Sequence, residues 1–529
     1  MRNKAYPFYE IAPRIKSIAD MLKIKAEQTP DDVAFRFRKG RSGIAEKTYA
    51  EVYAEAKKSA QWIDKNYGKG NHIAIIGENS YEWLMAFFGT LCSGNVAVPI
   101  DKELPADEIE WLLQKADVSK VFISKTYSDL VENAKNVKVM TLKELQTAYE
   151  EEDGEFTLYE PEENNETGTI FFTSGTSGRS KGVILSHGNI VSEINEASAM
   201  FDPEGKSTLV VLPFHHTFGL NVATLMAYNY GVSIFLNKSL KRVKEDINEA
   251  KPDVMMLVPL FIEAFYKRLK DGIEKSRQKA KVEKGVKVSQ AFLKLGIDRR
   301  RIMFKPIIDM FGGNLKYIIS GGAPLNAFYV KEFRKFGIEI LNGYGTTECS
   351  PCVAINRNYF KKDGSVGQVI QGTETKISDE GEVLFKGTVI MQGYYNDPEN
   401  TDEAIKDGWY STGDLGYVDK DGFLFLTGRK KNLIILSNGE NISPEELEND
   451  IQIDPGVCEV LVYDKDSKII AEIFPEEEFM GNKEYFDALI EKVNEGRPVY
   501  KQIASLKLRD EEFIKNASKK IVRYKNIPQ

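Results

Sequence analysis

The stretch FFTSGTSGRSKGVILSHGNI, Phe171 to Ile190, places two β-prone aromatics before a run of hydroxyls and glycines, then Arg179 and Lys181, then a second apolar run. Phe171 and Phe172 end a strand, and Thr173 to Lys181 form a turn whose glycines, Gly175 and Gly178, permit positive φ and close backbone approach. The hydroxyls of Thr173, Ser174, Thr176 and Ser177, with free backbone N–H groups, can line an anion-binding concavity. This is not the G-x-x-x-x-G-K-[ST] loop, because Lys181 is followed by Gly182. On these residues alone a polyphosphate loop and a Ser/Gly-rich hairpin tip stand even. His187, at the close of the stretch, reads as a structural histidine. Cys349 and Cys352 form a C-x-x-C pair, but no second ligand pair lies nearby, so metal or redox chemistry is not expected of them.

These residues need a scaffold. Runs such as HIAIIG (72–77), VAVPI (96–100), KVFIS (120–124), STLVVL (207–212), VSIFL (232–236) and DVMMLV (253–258) alternate with helical patterns, the signature of an α/β fold with mostly parallel strands. From about residue 365 glycine-punctuated short strands imply a small β-rich subdomain, and after Lys431 the pattern becomes a small α+β unit. A length of 529 residues fits three or four domains or subdomains. A net charge of −8 is small for that size and does not point to nucleic acid. Four cysteines make no disulfide framework, and the N-terminal segment lacks an apolar signal core, so a cytoplasmic location is expected. The apolar run Trp83–Ile100 is broken by Gly, Ser, Asn and Pro and reads as a buried helix and strand. Residues 264–305 carry 14 Lys/Arg against 4 Asp/Glu on a helical pattern. They read either as a solvated face or as a dock for an anionic membrane surface or an acyl carrier protein, which would make the protein peripheral at the membrane.

Seven segments occur in an order that resembles the adenylate-forming superfamily of acyl-CoA synthetases, adenylation domains and luciferase-like enzymes: TSGTSGRSKG (173–182), SGGAPL (320–325), NGYGTTE (342–348), YSTGD (410–414), GRKKNLI (428–434), GENISPEELE (439–448) and NASKKIVR (516–523). The resemblance implies an N-terminal adenylation domain over 1–429, built of stacked, mostly parallel sheets with helices and a β-rich subdomain at about 365–429. It also implies a mobile C-terminal α+β domain over 430–529. The chemistry is conversion of a carboxylic acid and ATP to acyl-AMP and pyrophosphate, then thioester formation with CoA, with Mg²⁺ as the cation.

The same resemblance assigns roles. Tyr344 would stack on adenine, with Asn342, Gly343, Gly345 and Thr346 around it, and Gly322 and Ala323 would leave room for the nucleotide. Asp414 would take the ribose hydroxyls beside Arg429. Glu348 would hold Mg²⁺, Thr347 would sit near the α-phosphate, and Thr173 near the metal or pyrophosphate. His216, Phe218 and Gly321 would border the acyl pocket, with Leu220 about where some long-chain members carry a tryptophan. Lys520 would reach the reacting phosphate, Lys431 would be the hinge, and Gly439 would pass the pantetheine arm. The family's Gly-Lys is Lys519-Lys520 here; Ile521 and Arg523 favour Lys520 as the reactive residue. Amino-acid-activating members carry an Asp near 212–220 and this chain has none, so an amino acid is not expected; GYGTTECSP and LSNGENISPEELE resemble the medium- to long-chain acyl-CoA synthetases, which implies a medium- or long-chain fatty acid. A stand-alone enzyme loading an acyl carrier protein and a catalytically silent nucleotide sensor remain as alternatives.

Overall fold

The computed structural model describes residues 8–40, 43–173, 180–275, 278–435, 441–465, 468–515 and 521–527. The chain divides into two compact units: one spans 1–325, 329–374 and 385–410, the other 326–328, 375–384 and 411–529.

The larger unit holds two sheets. Strands His72–Ile76, Val96–Ile100 and Val118–Ile123 are parallel neighbours in a seven-stranded sheet, continued on one side by Thr167–Thr173, Lys181–Ser186 and Gly393–Tyr394. Ser207–Val210, Ser233–Leu236, Val254–Leu257, Tyr317–Ser320 and Glu339–Tyr344 belong to a nine-stranded sheet and run parallel. Every run read as a strand is one. VAVPI is buried at all five positions, as expected of a parallel strand covered on both faces.

The run from Trp83 onward is the helix Tyr81–Cys92, capped by the Ser80 hydroxyl, followed by the strand Val96–Ile100. Eleven of the twelve helix residues are buried, Glu82 being the exception. Tyr81 packs on Phe35 and Phe37 of the strand Val33–Lys39, which lies in the nine-stranded sheet. The same helix runs along His72–Ile76 and Val96–Ile100 of the other sheet. A helix that is apolar all round is stable in water only when covered on all sides, and here both sheets supply the cover. Among the described residues, no helix is long and apolar enough to cross a membrane.

In the smaller unit, Trp409–Val418 and Leu424–Arg429 pair antiparallel. Farther on, Val457–Lys465 pairs antiparallel with Lys468–Pro475, which pairs parallel with Ser505–Leu508. Helices Pro444–Gln452 and Lys483–Asn494 bury Leu447, Ile451, Phe486 and Ile490 in a core with Val462 and Ile473 of the sheet. The last described segment is tied down by Arg523. It donates to Glu448 Oε1 at 2.6 Å and to the Val462 carbonyl, while Glu448 also accepts from the Val462 N–H at 2.7 Å. Burial raises the Glu448 carboxyl, and Arg523 opposes that shift.

Replacing Arg523 with Ala strands this carboxylate. The expected loss is about 3 kcal/mol, the low end for an interior ion pair losing one partner. Chemical denaturation followed by a probe in residues 441–515 measures it, and Arg523→Lys should recover only part.

Candidate functional site

Parallel strands in an open α/β sheet carry their ligands beyond their carboxyl ends. Three adjacent strands of the nine-stranded sheet end here at Leu257, Ser320 and Tyr344, in register Leu257↔Ser320 and Ser320↔Asn342. Gly321, Gly322 and Ala323 follow Ser320. Gly322 has φ +81°, a left-handed conformation that favours glycine, and is exposed with Ala323, so the strand end presents backbone rather than side chains. Tyr344 lies half-buried, 6.1 Å from Phe385 between ring centroids. Gly343 and Tyr344 pair with Ile355 and Ala354. Gly345 is a close approach, since a Cβ there would fall 1.6 Å from the Pro351 carbonyl oxygen. Asn342 pairs through its backbone carbonyl with the Asn356 N–H at 2.9 Å, and Thr346 Oγ1 lies 3.3 Å from the Tyr410 hydroxyl. Thr347 and Glu348 open the one-turn helix Thr347–Cys349.

The expected acyl-pocket residues flank the same strand ends. Beyond the neighbouring strand Ser207–Val210 the chain reaches His215 and His216, rings 4.4 Å apart. Phe218 begins a nine-residue π-helix to Met226 that contains the buried Leu220. Such windings cluster at functional sites. Asn221 of this helix donates to the Ser350 carbonyl at 2.8 Å, joining it to the turn after Glu348. A Cβ on Gly321 would meet the Phe218 ring at 3.1 Å, so Gly321 and Phe218 are in contact and glycine is what admits the ring. His216 is exposed. His215 points its Nε2 at Asp101 Oδ2, 3.5 Å away, yet burial, His216 and Lys102 hold its imidazole well below 6.5, so it is neutral.

The hydroxyl-glycine stretch connects Thr167–Thr173 to Lys181–Ser186, an antiparallel pair with Thr173 opposite Lys181. Ser174, Gly175, Thr176, Ser177 and Gly178 lie outside the described residues, as do Gly439 and Lys520. Lys181 is described and is held by residues that sequence reasoning did not single out. Its ammonium sits 4.9 Å from the centroid of the Tyr394 ring and donates to Asn400 Oδ1. Tyr394 in turn donates its hydroxyl to Glu348 Oε1 at 2.9 Å. Burial and the Glu348 carboxylate hold that phenol well above its usual range, so it stays a donor. The backbone repeats the link: Tyr394 pairs with Val183, and the Met391 N–H donates to the Glu348 carbonyl at 2.8 Å. The signal was present in the polar, turn-forming stretch GYYNDPENT (393–401), which no apolar periodicity explains.

No group of three or more His, Cys, Asp or Glu among the described residues could hold a metal by itself. Glu348, with one neutral donor on one oxygen, fits a hard cation whose remaining ligands are phosphate oxygens. In the smaller unit, Asp414 faces Arg429 across the strand pair, with Arg429 Nε 2.7 Å from Asp414 Oδ1. The carboxylate is buried and Arg429 half-exposed. Lys431 lies in the one-turn helix Lys430–Asn432, and its neighbour Lys430 pairs with Glu382 at 3.1 Å. Both cysteines of the C-x-x-C pair are free and buried, and burial pushes the Cys352 thiol up, as befits packing rather than chemistry. His187 is buried at the start of the helix His187–Ser198, with burial lowering its imidazole.

Two measurements follow from this geometry. Tyr394→Phe keeps the ring under Lys181 but removes the donor to Glu348. A hydrogen bond to a charged group contributes about 1.5–3 kcal/mol, so the Mg²⁺ concentration for half-maximal pyrophosphate release should rise about tenfold, with little change in KM for ATP at saturating Mg²⁺. His215 is neutral in the fold and takes a proton on unfolding. Its share of stability is therefore present above pH 6.5 and lost as pH falls below it. Urea melts from pH 7.5 to 5.5 should show a smaller decline for His215→Gln.

A family model described as AMP-binding enzyme matches residues 22–395. The long-chain-fatty-acid–CoA ligase FadD15 of Mycobacterium bovis is 30% identical over 425 residues, covering 74% of this chain and 71% of that protein. Human long-chain-fatty-acid–CoA ligase 1 is 27% identical over 490 residues, 82% of this chain and 70% of its own length. Among solved structures, the Bacillus subtilis o-succinylbenzoate CoA synthetase with its acyl-adenylate superposes with TM-score 0.75 at 24% identity, over 95% of this chain and 97% of that one. The anthranilate CoA ligase AuaEII with anthranoyl-AMP gives 0.80 at 20% identity, over 97% of each chain. These structures establish the shared fold. The chain belongs to the AMP-binding enzymes, the adenylate-forming family that its ordered motifs resemble.

Proposed function

We propose that this enzyme is an AMP-forming acid–thiol ligase that converts a medium- or long-chain fatty acid and ATP to acyl-AMP and pyrophosphate, then transfers the acyl group to CoA. The observation that carries the reading is the pairing of Lys181 and Glu348 through Tyr394, beside strand ends that offer Tyr344 and a small-residue platform. That arrangement supplies a cation for phosphate, a carboxylate for Mg²⁺ and a flat ring for adenine. The relatives named as long-chain-fatty-acid–CoA ligases support the acid and the CoA acceptor.

In this reading Thr173, Thr347 and the 174–178 loop surround the phosphates, Asp414 and Arg429 take the ribose, and His216, Phe218 and Gly321 border the acid. Bound Mg²⁺ neutralises phosphate charge. Lys520 adds a point charge near the reacting oxygen, worth roughly 4 kcal/mol at about 4 Å and an effective dielectric of ~20. The residues from 430 onward pivot at Lys431, so that Lys520 serves adenylation and Gly439 then lies along the pantetheine arm. The basic 264–305 stretch brings the enzyme to an anionic membrane as a peripheral protein.

Pyrophosphate release measured over acids of graded chain length, with and without CoA, tests the reaction. Fatty acids should support it, and acyl-CoA should form only with CoA; acyl transfer solely to a carrier protein would overturn the CoA assignment. Lys520→Ala should abolish adenylate formation, about a thousandfold or more, yet spare thioester formation from supplied acyl-AMP. Equal loss of both half-reactions would refute the pivot.

A further inference from the structure

The structure sorts the cations of 264–305 into two sets. Arg300 is paired with Asp298 at 2.7 Å and Glu339 at 3.3 Å. Arg301 donates to the backbone carbonyls of Asn314 and Gly337. These two are structural, binding the turn after residue 295 to the larger unit.

The helix Lys279–Lys294 does the opposite. Its inner face holds Ser289, fully buried, and Gly285, where a Cβ would come within 3.2 Å of the buried Phe304 ring. At 100° per residue, Lys284, Lys287 and Lys294 turn away from Ser289 and Gly285 while Lys281, Val288 and Leu295 lie along one flank, and all six are exposed. Glu283, the only acidic residue of the helix, is exposed on the same side as Lys287 and Lys294. Leu295 is 74% exposed; Ile297 follows it in the open, and Ile302 in the next turn is 73% exposed. A single exposed leucine carries no message. Exposed Val, Leu and Ile interleaved with at least four lysines, on a helix pinned from behind, are the composition of a surface that lies in a headgroup layer.

We infer that the outer face of Lys279–Lys294, with Leu295, Ile297 and Ile302, docks this enzyme on an anionic lipid bilayer. The lysines lie among the phosphates while the apolar side chains enter the acyl boundary. The face is a convex helix with apolar side chains between its cations. It matches a fluid headgroup layer, which moulds to inserted side chains, better than a folded acidic partner, which would need a preformed complementary groove. The purpose of the dock rests on the fatty-acid reading, because such an acid partitions into bilayers; the binding itself rests only on this surface.

The test is co-sedimentation of the full chain with vesicles of equimolar phosphatidylglycerol and phosphatidylcholine, against pure phosphatidylcholine. The wild type should partition to the anionic vesicles and be released by high salt. Each lysine near such a surface is worth about fivefold in partitioning, so Lys284→Gln/Lys287→Gln/Lys294→Gln should weaken it about a hundredfold. Leu295→Ser/Ile302→Ser should weaken it at least about tenfold, with the salt dependence retained. Equal binding to both vesicle types, or an unchanged triple variant, would overturn the proposal. So would binding to an acidic acyl carrier protein that the triple variant abolishes, without any vesicle binding. The assay contains no substrate, so failure of fatty-acid-dependent pyrophosphate release would overturn the fatty-acid reading and leave the sedimentation result standing.

Discussion

One tyrosine keeps a cation and an anion from cancelling each other. Lys181 rests on the ring of Tyr394, and the hydroxyl of the same residue donates to Glu348. Were the ammonium and the carboxylate in direct contact, each would satisfy the other, and neither would be disposed toward phosphate or a hard cation. With the aromatic ring between them, Lys181 is held by a quadrupole and an amide oxygen, both weaker partners than a phosphate, and Glu348 by a neutral donor. The two charged groups are thus held apart by one neutral side chain, neither of them committed to the other.

The scaffold exists to hold that geometry. Glu348 follows the strand Glu339–Tyr344 of one sheet, whereas Lys181 begins a strand of the other. The segment from Ile390 to Asn400 stitches the two together, with backbone pairs to Val183 and Ile184 and a hydrogen bond to the Glu348 carbonyl. Behind it, the eleven buried residues of Tyr81–Cys92 fill the space between the sheets, so neither can shift without opening a cavity. The π-helix at Phe218–Met226 is tied through Asn221 to the turn after Glu348, which couples the expected acid pocket to the expected metal carboxylate.

The polar interior has its own discipline. His215 and His187 are kept neutral by burial, and Cys352 is kept a thiol. His187 and Cys352 are buried, and the imidazole of His215 is neutral although Asp101 lies 3.5 Å away. Lys181 and Glu348 are instead placed at strand ends, Lys181 at the start of one strand and Glu348 just beyond the end of another.

Much of this was legible before any coordinate. β-branched runs located the parallel strands because a strand buried on both faces has no polar side to show. The resemblance to the family's motifs proposed Tyr344, Glu348, Asp414 and Arg429 as site residues by type and order. Tyr394 and Asn400 were not legible as partners of Lys181, because residues more than 200 positions apart meet only through the edge pairing of Tyr394 with Val183. Nor did the count of cations between 264 and 305 distinguish Arg300 and Arg301, spent on the turn, from the lysines that face outward. Residue chemistry and local periodicity are properties of short segments, so the sequence determined the elements and the reactive types. Which of them touch depends on strand order and sheet edges, and only the tertiary structure decides those.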